Sequence, residues 1–190
     1  MNVFVAGPRK VTNLNNHVIE RLHNIINNNF NILVGDANGI DKAIQKFLYS
    51  ENYPNVIVYA VDGKARNNIG GWNIKNIDSK NKKRKDFDYY TLKDKVMAQD
   101  ATWGFMIWDG SGKGTLNNMI NLTSTGKKTL LYFIPEKEFY TFNDLKQLKS
   151  FIEKCNPSIL NTFLELLDYN NITYNNEKQL SIDALLQLNK

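Results

Sequence analysis

Five short runs of β-branched and aromatic residues, each followed by a longer stretch of helical periodicity, constrain this chain more than any other feature. The runs are NVFVA at 2–6, FNILV at 30–34, NVIVYA at 55–60, TWGFMIW at 102–108 and KTLLYF at 128–133. Between them, residues 14–28 place Leu14, Val18, Leu22, Ile25 and Ile26 on one helical face, and residues 39–50 do the same with Ile40, Ala43, Ile44, Phe47 and Leu48. Residues 86–99 and 115–125 supply two further helices. Strands that alternate with helices cannot close as hairpins and are joined by crossovers. The expected fold is therefore α/β, a doubly wound, mostly parallel five-stranded sheet. After Pro135 the pattern turns helical, in FNDLKQLKSFIEK, NPSILNTFLELLDY and SIDALLQLNK, with no further strand expected. This divides the chain into a core at 1–136 and a helical C-terminal extension at 137–190.

With 190 residues, 42% of them hydrophobic, the chain can bury one ordinary core. The net charge of +5 suits an anionic partner but falls short of the strongly basic face typical of nucleic-acid binders. A nucleic-acid partner is thus the less favoured alternative. The single cysteine, Cys155, excludes an internal disulfide and a cysteine-rich zinc site. His17 and His23 lie six apart on a helix and share no face, so no metal site is expected, and no cofactor. No apolar run approaches a membrane span, which points to a cytoplasmic protein with no membrane partner.

In a doubly wound sheet ligands bind beyond the carboxyl ends of the strands, where strand order reverses. If the first and fourth runs are neighbours there, two loops face one another: AGPRK at 6–10, with Gly7 and Arg9, and DGSGKGT at 109–115. VGDANGID at 34–41, with Gly35, Asp36, Asn38 and Gly39, lies next along. Glycines let backbone amides approach a ligand, and a following helix N-terminus attracts phosphate. Gly112, Gly114 and Thr115 form the expected phosphate-binding loop, with charge from Lys113 and Arg9 and flanking contacts from Asp109, Gly110 and Ser111. The order Gly-Lys-Gly-Thr departs from the Walker pattern, which disfavours magnesium-dependent ATP hydrolysis.

Asp36, Asp41, Asp94 and Asp109 are the candidate catalytic carboxylates, since a pair across a crevice can activate water at a glycosidic bond. Asp41 is equally suited to capping a helix, and Asp109 to ordering its loop or holding a ribose hydroxyl. The stretch 62–85 is long for a connection inside a domain and reads as a functional flap or a disordered loop. In it Arg66, Asn67, Asn68 and Trp72 suit a flat polar ligand, although a Trp there can instead anchor the loop to the core. Its KNKKRK run reads as a solvated loop.

Taken together, AGPRK, LVGDANGIDKAIQKFL and YTLKDKVMAQDATWGFMIWDGSGKGTLNNMINL resemble the SLOG superfamily, above all its YspA-like branch. That superfamily also includes the lonely-guy phosphoribohydrolases and the DprA DNA-processing proteins. The resemblance spans about residues 1–135. It implies a Rossmann-like fold, a nucleotide or nucleotide-derived ligand, roles in bacterial or phage signalling and defence, and a homo-oligomer. RNNIGGW, which holds Arg66 to Trp72, also belongs to that branch's pattern. One departure matters: where lonely-guy enzymes carry a catalytic glutamate after the glycine loop, this chain has Asn118, an amide unable to act as nucleophile or base. Two functions follow as expectations: a sensor or sequestering protein for an ADP-ribose-like ligand or mononucleotide, or else a nucleotide N-glycoside hydrolase or transferase. DprA-like nucleic-acid binding is the weaker third.

Overall fold

The computed structural model describes residues 1–63, 65–79 and 87–173. The KNKKRK run at 80–85 and the SIDALLQLNK helix expected at 181–190 lie outside the described residues. Among the described residues, seven strands form one sheet: β1 (Asn2–Ala6), β2 (Asn31–Gly35), β3 (Val56–Val61), β4 (Asn73–Ile77), β5 (Trp103–Trp108), β6 (Thr129–Phe133) and β7 (Glu138–Phe142). The helices are α1 (Asn16–Asn27), α2 (Ile40–Ser50), α3 (Phe87–Asp100), α4 (Lys113–Thr123), α5 (Leu145–Ile152) and α6 (Pro157–Tyr169). Strand order is β4-β3-β2-β1-β5-β6-β7, parallel throughout except for the antiparallel β6–β7 pair.

The expected count of five strands is thereby corrected to seven. β4 falls inside the stretch expected to be a loop or flap. Its sequence NIKNI is exposed over its first four residues, so it carries none of the apolar signal of a buried strand. It is held by pairing with β3 and by Lys75, whose ammonium lies 2.6 Å from Asp100 at the end of α3. β7 overturns the expectation of no strand after Pro135. The chain turns back through Lys137, whose φ of 58° lets its N–H donate to the Phe133 carbonyl at 2.9 Å, and EFYTF then pairs along β6.

β1, β2, β3, β5 and β6 are buried on both faces, which is why their sequences read as continuous apolar runs. Along β1, Val3 and Val5 pack with Val18 and Leu22 of α1 and Ile40 and Ile44 of α2. Phe4 and Ala6 face the other way, into a cluster with Met97 of α3, Leu116 of α4, Leu148 of α5 and Phe163 of α6. Each Val, Leu, Ile, Met or Phe among them contributes about 1.5–3 kcal/mol on burial. The C-terminal helices α5 and α6 extend this second layer by packing on α4.

Candidate functional site

β1 and β5 are hydrogen-bonded neighbours, and strand order reverses between them. Beyond their carboxyl ends lies a cleft of about 470 Å³, with Gly7, Pro8, Arg9 and Lys10 on one wall and the loop Asp109–Gly112 leading into α4 on the other. The first turns of α3, through Phe87, Tyr90, Thr91 and Asp94, form the third side, and Ala37 and Asp41 contribute from the loop and helix after β2. Gly39 is what brings that last loop in. Its φ of +81° suits glycine, and a Cβ there would sit 2.4 Å from the Arg9 carbonyl oxygen.

On the α4 wall, Asp109 orders the loop. One of its carboxylate oxygens accepts from the Ser111 N–H and hydroxyl and from the Gly112 N–H, at 3.0, 3.1 and 3.0 Å. Gly112 caps α4 without a side chain, so the cap residue itself supplies no hydrogen bond to the first turn, while Asp109 accepts from the Gly112 N–H at the edge of the helix N-terminus. A Cβ at Gly114 would meet nothing within 4 Å, so packing does not demand that glycine; its effect is to leave the space above the first turn open. Thr115 and Asn118 line the same wall. Asn118 is 4% exposed, and its Oδ1 has no hydrogen-bond partner among the described residues. An orphaned buried oxygen of this kind costs about 1–3 kcal/mol.

Beneath the cleft three of the candidate carboxylates, Asp36, Asp41 and Asp94, surround a lysine that the sequence did not announce. Lys93, 5% exposed, extends from α3 so that its ammonium lies 2.6 Å from Asp94 and within electrostatic reach of Asp41 and Asp36. Burial works against its charge, yet these carboxylates hold its pKa above the ordinary lysine value. Gly35 makes room for the cluster, since a Cβ there would lie 2.4 Å from the Asp41 carboxylate and 2.8 Å from the Lys93 ammonium. Burial pushes the Asp41 carboxyl up to about 6, against the pull of Lys93 and of the Ala37 N–H that it accepts at 3.2 Å. Since the folded value lies above the ordinary 3.8, the protonated form stabilises the fold below about pH 4, and that contribution is lost as pH rises through about 6. Asp41→Asn is therefore expected to be about 2 kcal/mol more stable than the wild type at pH 8 and no different near pH 4. Urea unfolding across that range checks it, and an unchanged or lowered stability at pH 8 would refute it.

The cleft thus brings together Gly7, Arg9, Asp41, Asp94, Asp109, Ser111, Gly112, Lys113, Gly114, Thr115 and Asn118. Gly35, Asp36, Asn38, Gly39, Arg66, Asn67, Asn68 and Trp72 do not line it; Gly110 lines a neighbouring groove. Several of these are occupied in fastening the stretch after β3. Arg66 forms a two-pronged pair with Asp36 at 2.9 and 2.7 Å and donates its backbone N–H at 3.1 Å to the same carboxylate. Burial pushes Asp36 up, but these bonds outweigh it and hold the carboxyl below its usual value. Asn67 donates to the Asp36 carbonyl at 2.8 Å. The buried Gln45 of α2 donates to the Gly35 and Asn67 carbonyls and accepts from the Ile69 N–H. Asn68 closes a turn on Trp72, whose indole N–H donates to the Tyr53 carbonyl at 3.0 Å. Arg66 still reaches the rim indirectly, because its guanidinium and that of Arg9 both contact the Tyr90 ring, 5.1 and 4.6 Å from its centre.

No group of three or more histidine, cysteine, aspartate or glutamate side chains suited to a metal occurs among the described residues. No helix among them is long and apolar enough to cross a membrane. No protein-family model matches the chain, and no curated protein matches it either.

Proposed function

We propose that the cleft holds a nucleotide or nucleotide-derived ligand, of the mononucleotide or ADP-ribose kind, and that the protein acts as a sensor or sequestering protein in bacterial or phage signalling or defence. The observation that carries this reading is the N-terminus of α4, whose cap residue makes no side-chain hydrogen bond to the first turn and which opens into a cleft that holds Arg9, Lys10 and Lys113 beside Asp41, Asp94 and Asp109. Free amides at a helix start, together with its dipole and nearby cations, favour a phosphate. The arrangement at the strand ends suits a Rossmann-like protein, and the likeness to SLOG sequences supplies the biological setting. Asn118, in the place of the usual glutamate, favours holding over cutting.

A second reading draws on one observation. Asp41, titrating near pH 6, and Asp94 line the same cleft, so a carboxyl able to gain or lose a proton at neutral pH is in place for N-glycoside hydrolysis.

Excess protein incubated with NAD, ADP-ribose, AMP, CMP and deoxynucleotides, followed by chromatography with mass detection, separates the two. The expected result is one compound depleted from the free pool and recovered intact on denaturation. Release of a free base would establish the second reading instead, and no depletion of any compound would overturn both.

A further inference from the structure

A larger groove of about 1010 Å³ opens beside the cleft, between β7, α5 and the start of α6. Asp109 lines both spaces, and Gly110 lines the groove directly next to it. At Gly110, with φ +79°, a Cβ would come within 3.3 Å of the Phe133 ring, so the rim that separates the two spaces is backbone held close to an aromatic floor. We propose that the groove is the second compartment of one ligand site and takes a flat aromatic group, a second nucleobase, at the far end of a dinucleotide whose phosphate lies on α4.

The floor favours a ring over an acyl chain. Tyr140 and Phe151, both half-buried, lie 4.7 Å apart between ring centres, and Phe133 lies 5.3 Å from Phe151. The Tyr140 hydroxyl donates to Glu136, which fixes the orientation of its ring. Tyr140 and Phe151 are tilted 48° to one another, so a base would stack on one of these two half-buried rings and meet the other with its edge. Lys154 and Gln147 in the lining can meet the polar edge that a base presents and an acyl chain lacks. Size agrees: about 470 Å³ stands near the lower end of the roughly 300–1,000 Å³ usual for small-molecule sites, enough for one nucleotide, and the groove provides the room for the remainder.

This inference rests on the proposed nucleotide reading of the cleft, and the test separates the two. Calorimetric titration would compare AMP with NAD on the wild type, on Ser150→Trp, which fills the groove from an exposed position of α5, and on Tyr140→Ala, which removes part of the platform. NAD is expected to bind the wild type more tightly than AMP. Each variant should weaken NAD about tenfold or more while leaving AMP within about twofold, as expected for the loss of one base stack. NAD no tighter than AMP, or both ligands affected equally in the variants, would overturn the second compartment and leave the cleft reading standing. If neither probe binds the wild type at millimolar concentration, the cleft is not an adenine-nucleotide site, and the second compartment falls with it.

Discussion

Lys93→Met is expected to lower the stability of the fold by about 3–5 kcal/mol at pH 7.5, the usual result of removing one partner from a buried charged cluster. The Lys93 ammonium sits among Asp94, Asp41 and Asp36, and a methionine of similar volume would leave these carboxylates crowded together, with Arg66 paired to Asp36 as the remaining cation among the described residues. The loss should shrink as the solution is acidified. Without the lysine, the Asp41 carboxyl titrates above its present value near 6, so the folded variant takes up protons that the unfolded chain does not. Stability gained in this way is present at low pH and lost as pH rises through the folded value. Urea unfolding of wild type and variant at pH 7.5 and 5.0 measures both quantities. A deficit below about 1 kcal/mol at pH 7.5, or one that grows on acidification, would show that Lys93 does not carry the cluster.

Gly39→Ala should be nearly as damaging, at about 3 kcal/mol, because two costs add. The backbone conformation, φ 81° and ψ −132°, is one that a side chain enters at about 1–3 kcal/mol. The new methyl would also press on the backbone carbonyls of Pro8 and Arg9, which cannot rotate away as a side chain can. The same displacement moves one wall of the cleft, so under the proposed function nucleotide affinity should fall with stability. Gly114→Ala is the matched control: it sits in helical backbone with open space around it and should be as stable as the wild type or slightly more so. Thermal unfolding of the pair decides the matter, and equal midpoints for both variants would rule out the strained turn.

Much of this layout could be read before folding, for reasons visible in particular residues. Val3, Val5, Ile32 and Val34 are buried, and central strands of this kind announce themselves as uninterrupted apolar runs. Glycines close to strand ends marked the loops, and the topology placed all three of those loops at one cleft. β4 was hidden because an edge strand exposed over most of its length has the composition of a loop. β7 was hidden because Pro135 signals a turn, and the helices beyond it dominated the pattern. Lys93 left no trace: in YTLKDKVM nothing distinguishes the buried lysine from Lys95, which reaches the ring of Tyr169. Arg66 and Asn67 had the chemistry of ligand contacts, but their partners, Asp36 and Gln45, are set by tertiary contacts with no counterpart in sequence spacing.

The position of β1 has a consequence for the order in which the protein is assembled. It is the first of these seven strands along the chain yet lies in the middle of the sheet, where Val3 pairs with Ile32 on one side and with Trp103 on the other. During synthesis β1, β2 and β3 can associate as soon as they emerge, while the far edge of β1 waits for a partner about a hundred residues downstream. Joining ends so distant is the slow step expected of a non-local pairing. The cleft does not exist until that step is complete, because one of its walls begins at the end of β5. A bound ligand would therefore stabilise the finished protein and slow its unfolding, while leaving the assembly of the first three strands unaided.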